Sequence, residues 1–448
     1  MAILKSRIFQ ASQASSGFDR CNQMQFKLYW HDTTPPFENA EKSRPEGHYD
    51  VAVIGGGFTG LSAALHLAKA GSRVGVFEAG AVGSGASGRN GGHLNNGLAH
   101  SFIAAKQHLG TERAKALYKA FDDSIDTIER IVTQENINCS FRRSGKLKLA
   151  SKPAHFTTLE RNFEAIHRDV DSDTALLQRD ALSGEVGSDN FHGAMLSKKS
   201  AMMHMGRYVT GLATAATRNG AVIYENTPVS ERKKINDKHQ IVTPYGNVTA
   251  DNVILATGAY TTDSFSYFRK RIIPVGSFII ATRRLTESEI AATMPGNRTY
   301  VTSMNIGNYF RLAPDNRMIF GGRARFSTTS DQRSDAKSGT TLRENLIKIF
   351  PHLDNIEIDY CWGGLVDMTQ DRYPRAGFAE GVWYAMGYSG HGAQMSTQMG
   401  IYLADCILGR GDRNPIYDLD WTAIPGYSGK PWFLPMVGFY YKMLDKFQ

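Results

Sequence analysis

The amino-acid sequence predicts an α/β protein in which a Rossmann-like, dinucleotide-binding domain is interrupted by an antiparallel β-sheet domain. Residues 50–78 show a strand–turn–helix–strand pattern with a glycine-rich turn. After residue 272 the periodicity changes to successive short strands, and a strand followed by a long helix returns at 382–408. A chain of 448 residues exceeds one ordinary core, so a ligand is expected between two domains.

The first strand is the apolar run at 51–54, which leads directly into the glycine-rich turn. Gly55, Gly57 and Gly60 give the pattern G-x-G-x-x-G. These glycines allow a tight turn, close approach of the backbone to a diphosphate, and close packing of the next helix on the strand. That helix is expected to end at Gly71 and to direct its first N–H groups at the phosphates.

The second strand, at 74–77, ends on Glu78. This acid lies eighteen residues beyond Gly60, where a carboxylate can accept hydrogen bonds from both ribose hydroxyls. An acid at this position disfavours a 2′-phosphate, so NADP is not expected. The turn itself does not separate NAD from FAD.

Composition excludes several function classes. The net charge is +8, but the charges are scattered and no Lys/Arg run exceeds three residues, so a solvated surface is favoured over nucleic-acid binding. No metal site or disulfide framework is expected, because the four cysteines lie far apart. Without a membrane-spanning run or a secretory signal, the expected location is the cytoplasm. The cysteines are Cys21, Cys139, Cys361 and Cys406.

The remaining elements follow from the periodicity of apolar residues. Helices are expected at 111–136, 153–182, 206–219, 340–349 and 390–408. Strands are expected at 144–150, 222–224, 248–256, 272–282, 300–303, 308–312, 318–322, 359–365 and 382–387. The expected division is an irregular N-terminal arm (1–48), a dinucleotide domain (49–136, 195–265 and 355–425), a substrate domain (137–194 and 266–354) and an aromatic tail (426–448).

Three further stretches favour FAD. The loop at 83–92 is rich in glycine and small hydroxyl residues, so it can wrap a flat ring system. Trp362-Gly363-Gly364, with Asp367 and Asp371 near Pro374, forms a second cluster of small residues. The stretch 387–392 opens the last helix, whose N–H groups can stabilise negative charge on a reduced flavin.

Together these motifs resemble the D-amino-acid-oxidase-like (DAO) superfamily of FAD-dependent amine oxidoreductases, and within it the gamma-glutamylputrescine oxidase branch. The resemblance covers residues 28–430. It is carried by Tyr29-Trp30 with Thr34-Pro35-Pro36, by 54–64, by 85–92 and by 387–392. It implies a glutathione-reductase-like FAD-binding domain interrupted by the antiparallel substrate domain.

The resemblance also implies cofactor contacts. Diphosphate contacts would come from Gly55, Gly57, Phe58, Thr59 and Gly60, and ribose contacts from Glu78 and Ala79. Flavin-side contacts would come from Ser87, Arg89, Asn90, Gly91 and Gly92, and an adenine contact from Val229. The remaining contacts would come from Thr257, Gly258, Gly363, Gly364, Gly387, Tyr388, Ser389, Gly390, His391 and Gly392.

Three departures from sarcosine-oxidase-like members bear on the substrate, the electron acceptor and the attachment of FAD. Gln394 stands where they carry a substrate-binding Lys, and Ile319 stands where they carry an oxygen-activating Lys. Their flavin-attaching Cys falls near Gly364, whereas Cys361 lies three residues away, so FAD is expected to be non-covalent. A sarcosine-like substrate is therefore not favoured, and the acceptor stays open between oxygen and another compound.

The implied reaction is hydride removal from a carbon next to an amine, followed by hydrolysis of the imine. Tyr309 and Arg311 share one face of a predicted strand, and Arg311 could bind a substrate carboxylate or be a solvated strand charge. His391 is expected to be structural or to face the flavin rather than to act as a proton shuttle, and the same is expected of His93. Tyr388 could line the substrate cavity or pack in the core.

The aromatic tail suits an interfacial membrane helix, or a segment docked on the body or on a partner subunit. The expected partners are a small-molecule amine and an electron acceptor, and the oligomeric state stays open. Rival functions are the oxidation of N-substituted amino acids, a non-catalytic flavoprotein assembly factor, and an NAD-dependent dehydrogenase.

Overall fold

The computed structural model of the protein describes residues 24–327, 332, 336–411, 414–417 and 419–447. Residues 1–23 of the predicted arm, with Cys21, lie outside these ranges. So do short pieces of both predicted domains and the last residue of the predicted tail.

The helices of the described residues pack on and between two large sheets. They are α1 (Tyr29–Asp32), α2 (Phe58–Lys69), α3 (Phe102–Leu109), α4 (Thr111–Gln134), α5 (Pro153–Asp169), α6 (Met205–Arg218), α7 (Ser266–Arg269), α8 (Glu287–Thr293), α9 (Ala336–Ile349), α10 (Gly392–Ile407) and α11 (Leu434–Phe447). Among them, none combines the length and the apolar character needed to cross a bilayer.

The strands form the two large sheets and one small one. They are β1 (His48–Ile54), β2 (Val74–Phe77), β3 (His93–Leu94), β4 (Arg142–Arg143), β5 (Lys146–Leu149), β6 (Ala175–Gln178), β7 (Gly193–Ser197), β8 (Ala201–Met202), β9 (Val222–Tyr224), β10 (Glu231–Ile235), β11 (Lys238–Thr243), β12 (Gly246–Leu255), β13 (Ile273–Arg284), β14 (Thr299–Thr302), β15 (Tyr309–Leu312), β16 (Arg317–Arg325), β17 (Ile358–Met368), β18 (Arg375–Ala379) and β19 (Val382–Met386).

The first large sheet carries the predicted dinucleotide-binding strands. Its order is β10-β11-β12-β1-β2-β9, with β19 paired to β12 and β18 paired to β19. β1 pairs in parallel with both β2 and β12. The carboxyl ends of these three strands therefore meet at one edge, where Gly55, Glu78 and Thr257 follow them.

The second large sheet has the order β17-β13-β16-β15-β14-β5-β7-β6. Among its strands in the described residues, β5 and β14 alone pair in parallel. Leu147 and Leu149 of β5 are fully buried in a core that α9 covers with Leu342 and Leu346. Because side chains alternate along a strand, Lys146 and Lys148 point to the opposite face.

Several expectations about this part of the chain are wrong in detail. The helix expected over 153–182 ends at Asp169, because the apolar residues of β6 pair with β7 at the sheet edge and tertiary pairing overrides local propensity. β13 lies between β16 and β17, so the successive strands after residue 272 are not all neighbours in the sheet. β17 was assigned to the dinucleotide domain, but it pairs along its length with β13.

The β10–β11 hairpin was not predicted. Its sequence, from Glu231 to Thr243, is mostly polar and lacks a buried face on β10, so it carries little strand signal. Asn236 takes the left-handed φ of 54° that its turn requires. The lysine-rich edge this leaves on the first sheet discourages pairing with other chains.

The described part of the arm is anchored in the core by two aromatic side chains, although much of its chain between 35 and 47 is exposed. Tyr29 and Trp30 are buried in α1, and Trp30 Nε1 donates a hydrogen bond to Asn90 O at 2.7 Å. Tyr29 Oη donates to Asp315 Oδ1 at 2.7 Å. The arm thus ties the 83–92 loop to the turn between β15 and β16.

The C-terminal helix α11 docks on the body by one face. Leu434 and Gly438 are buried, and the Asp445 carboxylate accepts hydrogen bonds from the backbone N–H groups of Asn305 and Ile306, each at 2.8 Å. The opposite face exposes Met436, Phe439, Tyr440, Met443 and Phe447. Docking through one face leaves an apolar face free, so peripheral membrane contact stays a prediction.

Candidate active site at the edge of the first sheet

The glycine-rich turn after β1 has no room for side chains. Gly55 has a φ of +112°, and a Cβ atom there would lie 2.7 Å from Ala256 O. A Cβ atom at Gly60 would lie 2.0 Å from Gly55 O, and one at Gly57 would lie 2.8 Å from Ser87 Oγ. No side chain of these three glycines therefore covers the backbone at the start of α2, where N–H groups can bind anionic oxygens. This cradle fits the diphosphate of a dinucleotide.

The carboxylate of Glu78 lies beside this turn. Its Oε2 accepts a hydrogen bond from Gly56 N–H at 2.6 Å, and its Oε1 accepts one from Gly80 N–H at 2.9 Å. The carboxylate is thus held at the edge where the ribose is expected, next to the exposed Ala79. Thr227 N–H donates to Glu78 O at 2.7 Å, which brings the segment with Val229 toward the same edge.

Arg89 joins the 83–92 loop to the second sheet. Its Nε donates to Ser84 O at 2.7 Å, and its Nη1 donates to Gly363 O at 2.7 Å. A Cβ atom at Gly364 would lie 2.9 Å from Arg89 Cβ. The loop and β17, two of the predicted flavin contacts, are therefore in direct contact.

The loop is also fixed from within and from α2. Ser87 Oγ accepts a hydrogen bond from Phe58 N–H at 2.9 Å. Asn90 Nδ2 donates to Ser87 O at 2.9 Å, and Asn90 Oδ1 accepts from Gly92 N–H at 2.9 Å. Gly92 has a φ of +77°, and a Cβ atom there would lie 2.0 Å from Arg311 Nη2. Only glycine fits this position.

Arg311 is buried under the loop, and its guanidinium donates hydrogen bonds to backbone carbonyls. It donates to Gly91 O at 2.9 Å, to Met203 O at 2.7 Å and to Leu312 O at 3.2 Å. Its Cζ lies 5.2 Å from the centre of a Trp30 ring, and burial lowers the pKa of the guanidinium to about 9. These contacts favour a positioning role over the expected contact with a substrate carboxylate, and over a solvated strand charge.

Tyr309 lies on the same face of β15 as Arg311. A Cβ atom at Gly91 would lie 2.7 Å from its ring, and the ring centres of Tyr309 and His93 are 5.2 Å apart. Burial raises the pKa of Tyr309 to about 12 and lowers the pKa of His93 to about 3. Both side chains are thus neutral beside the loop.

The stretch 387–392 reaches the glycine-rich turn through Tyr388, whose hydroxyl lies 2.8 Å from that of Thr59. Gly387 has a φ of +78° and donates its N–H to Asp367 Oδ2 at 2.7 Å. Ser389 takes a φ of 51° and donates its N–H to Asp367 O at 3.0 Å. The segments near 57, 90 and 390 are therefore brought together as predicted.

Asp367 was noted in the sequence beside the cluster at 362–364, but no role at the site was predicted for it. It is buried, and burial raises the pKa of its carboxyl to about 6, although the N–H groups of Gly387 and Tyr388 counteract the shift. A Cβ atom at Gly258 would lie 3.2 Å from its Oδ2. Asp367 thus links the 387–392 stretch to the turn after β12, where Thr257 and Thr261 hydroxyls lie 2.7 Å apart.

His391 precedes the first residue of α10, after Gly390 with a φ of +87°. Burial, followed by the charge of Lys146, lowers its pKa to about 3, so the ring is neutral. Gln394 is buried and donates from Nε2 to Asn95 O at 2.6 Å. It holds the chain just beyond the 83–92 loop. The roles predicted for His391 and its neighbours stay predictions.

The structure also brings Lys146, Lys148 and Arg372 to this region, and none of them was selected from the sequence. The alternation of lysine and leucine in β5 was a signal that both lysines share one face. It could not show that this face turns toward the site, because that depends on how β5 pairs with β14.

On the surface, ligand atoms of His48, Asp50 and Asp251 lie within 4.8 Å of one another. The His48 ring is held by protein partners, with Nε2 at 3.1 Å from Asp251 Oδ2 and Nδ1 at 3.0 Å from Thr249 Oγ1. The group lies outside the site described above.

Comparison with known proteins identifies the architecture. The DAO family model, described as FAD dependent oxidoreductase, matches residues 50–406. The chain is 34% identical over 412 residues to the probable oxidoreductase OrdL of Haemophilus influenzae, covering 90% of this chain and 93% of that protein. It is 32% identical over 401 residues to gamma-glutamylputrescine oxidoreductase of Escherichia coli, covering 89% and 93%.

The crystal structure of glycine oxidase from Geobacillus kaustophilus is similar in fold, with a TM-score of 0.70 and 23% identity. The match covers 85% of this chain and 98% of that one. The predicted fold class and the predicted resemblance are thereby confirmed, and FAD rather than NAD is the cofactor.

Proposed function

This chain belongs to the DAO family of FAD-dependent oxidoreductases, and we propose that it oxidises a C–N bond in an amine or amino-acid derivative such as gamma-glutamylputrescine. The observation that supports the proposal most strongly is the junction of three cofactor segments. The glycine-rich turn, the 83–92 loop and the 387–392 stretch meet through Ser87, Thr59 and Tyr388.

When bound, FAD supplies the hydride acceptor for the carbon next to the amine, and the imine then hydrolyses to an aldehyde or keto acid plus an amine. The N-terminus of α2 would hold the diphosphate, and Glu78 would accept hydrogen bonds from the ribose. The N-terminus of α10 would place partial positive charge near the flavin ring. We propose non-covalent binding, because the buried Cys361 lies on the face of β17 opposite to Gly364, which meets Arg89.

The residues around the reacting carbon act by position and polarity rather than by proton transfer. His391 and His93 are neutral, since burial lowers the pKa of each to about 3. An amine that binds without its extra proton needs no dedicated general base. Tyr309 adds a neutral hydroxyl to the wall formed by β15.

Two other functions remain as alternatives. One is the oxidation of N-substituted amino acids, which is disfavoured because Gln394, which donates to Asn95 O, stands where sarcosine-oxidase-like members carry a substrate-binding Lys. The other is a non-catalytic flavoprotein that takes part in assembly. The acceptor is oxygen or another compound, and a small-molecule amine is the expected partner.

The test is anaerobic reduction of the bound flavin. Purified holoenzyme is mixed without oxygen with gamma-glutamylputrescine, other polyamine conjugates, N-substituted amino acids and simple amino acids, and the loss of absorbance near 450 nm is followed. We expect bleaching by at least one polyamine conjugate. Readmitted air then distinguishes oxygen from another acceptor by the rate of re-oxidation. If no amine bleaches the flavin, the proposed reaction is wrong.

A further inference from the structure

Lys148 lies on the same face of the second sheet as Tyr309. In the strand register Lys148 is opposite Val301, Val301 is opposite Tyr309, and Tyr309 is opposite Gly321. Residues directly opposite one another in neighbouring strands point to the same face. Adjacent strands are about 4.8 Å apart, so two strand spacings separate the Cα atoms of Lys148 and Tyr309 by roughly 10 Å across the sheet. It therefore faces the cofactor segments from a short distance.

Lys146 extends this face by one step along β5. Its Nζ donates to Asn96 O at 2.6 Å, in the chain that follows the 83–92 loop. Arg372 reaches the same region from the loop after β17 and takes a left-handed φ of 60°. Burial, followed by the charge of Arg372, lowers the pKa of Lys148. His391, at the start of α10, experiences the charges of Lys146, Arg372 and Lys148.

Within the described ranges, no carboxylate contacts these three cations. Among the described residues, neither the Lys148 ammonium nor the Arg372 guanidinium has a hydrogen-bond or ion-pair partner, and Arg372 Nε is fully buried. The neighbouring Asp371 carboxylate is taken up by Arg375, whose Nη2 lies 2.5 Å from it. Asp122 and Asp171 act on Lys146 only through space. Partly buried cations without partners are costly, and a bound anion would relieve that cost.

We propose that Lys148, Arg372 and Lys146 form an anion-binding subsite that takes the carboxylate of the substrate. The enzyme then acts on amines that carry an acidic group, with the carboxylate held on β5 and the amine directed toward the flavin side. This proposal rests on the proposed function for its substrate, but the binding of a carboxylate can be measured without turnover.

The experiment uses a ligand that cannot be oxidised. Glutarate and its neutral analogue glutaramide are titrated calorimetrically into holoenzyme, into Lys148→Met, into Arg372→Gln and into the conservative variant Lys148→Arg. Lys234→Met, on the exposed strand β10, is the matched control. FAD content and melting temperature establish that each variant is folded.

We expect glutarate to bind wild type at least tenfold more tightly than glutaramide. A charge-assisted hydrogen bond is lost in Lys148→Met and in Arg372→Gln, so each should weaken glutarate binding by roughly 10- to 100-fold while leaving glutaramide unchanged. Lys148→Arg and Lys234→Met should bind glutarate like wild type.

Equal affinity of wild type for the two ligands would overturn the proposal, and so would unaltered glutarate affinity in a folded Lys148→Met protein. The two proposals fail separately. Selective glutarate binding with no flavin bleaching by any amine rejects the reaction but supports the subsite. Bleaching by neutral and acidic amines alike, without glutarate binding, supports the reaction and rejects the subsite.

Discussion

Replacement of Arg311 by Met separates two roles for this side chain. In the structure the guanidinium donates to the carbonyls of Gly91, Met203 and Leu312, and only Gly91 belongs to the cofactor loop. A hydrogen bond from a charged donor contributes about 1.5–3 kcal/mol. Loss of the Gly91 bond should therefore raise the dissociation constant of FAD by roughly 10- to 150-fold.

Arg311→Met should also lower the free energy of unfolding. Met203 O and Leu312 O lose their side-chain donor at a cost of about 1–3 kcal/mol each, whereas His93 Nδ1 still lies 3.1 Å from Gly91 O, and removal of a buried charge offsets part of the loss. We expect a net loss of about 3 kcal/mol, read from urea denaturation. FAD affinity is measured by fluorescence titration of protein stripped of its flavin. Arg284→Met, on the exposed end of β13, is the control and should match wild type.

A positioning role predicts that Arg311→Met impairs neutral and acidic amines equally once FAD is saturating. The reasoning is refuted if FAD affinity and stability stay at wild-type values while KM rises only for substrates with a carboxylate. That pattern would mean that Arg311 binds the substrate directly, as the strand pattern first suggested.

Further outcomes follow from other positions. Gly60→Ala should abolish FAD binding or folding, because its Cβ atom would lie 2.0 Å from Gly55 O; retained flavin in the purified variant would contradict this. Acid precipitation should release all the flavin into the supernatant, since Cys361 faces away from Gly364; yellow pellets would mean a covalent bond. Burial, then the charge of Lys148, lowers the pKa of Lys146 to about 8, while Asp122 and Asp171 act in the opposite direction. Lys146 is charged below that pH, so glutarate affinity should fall as pH rises through about 8, and Lys146→Arg should move the fall upward; identical profiles would refute the assignment. Through its C-terminal helix, the wild-type protein should sediment with anionic vesicles, and the Phe439→Asp variant should not. Wild-type protein that stays in the supernatant rules membrane contact out.

The parts of the fold that follow from local pattern were predictable. One contiguous unit contains β1, the glycine turn, α2 and β2. Its glycines and its apolar run are required by the conformation and burial of the same segment, and the structure places these elements within a few residues of expectation. β6 and the β10–β11 hairpin were not predictable, because each is a strand only through its neighbour in the sheet.

The site shows the same division. The glycines of the turn and of the 387–392 stretch could be chosen from sequence, since a backbone approach or a positive φ requires them. The role of Asp367 and the choice of Lys148 could not be predicted, because both depend on contacts between distant segments. Arg311 illustrates a middle case. Its strand face was predictable, but the three carbonyls that surround it come from separate parts of the chain.

The order of strands in the first sheet has a consequence for biosynthesis. β1 ends at Ile54, yet its neighbour β12 starts at Gly246, and β19, on the far side of β12, starts at Val382. At 5–20 residues per second, a ribosome needs roughly 10–40 s between β1 and β12. During that interval one edge of β1 has no native partner, and closing so long a loop makes the contact order of this sheet high. Nascent chains shorter than about residue 246 are therefore expected to depend on chaperones, and their yield should rise sharply once β12 has left the exit tunnel.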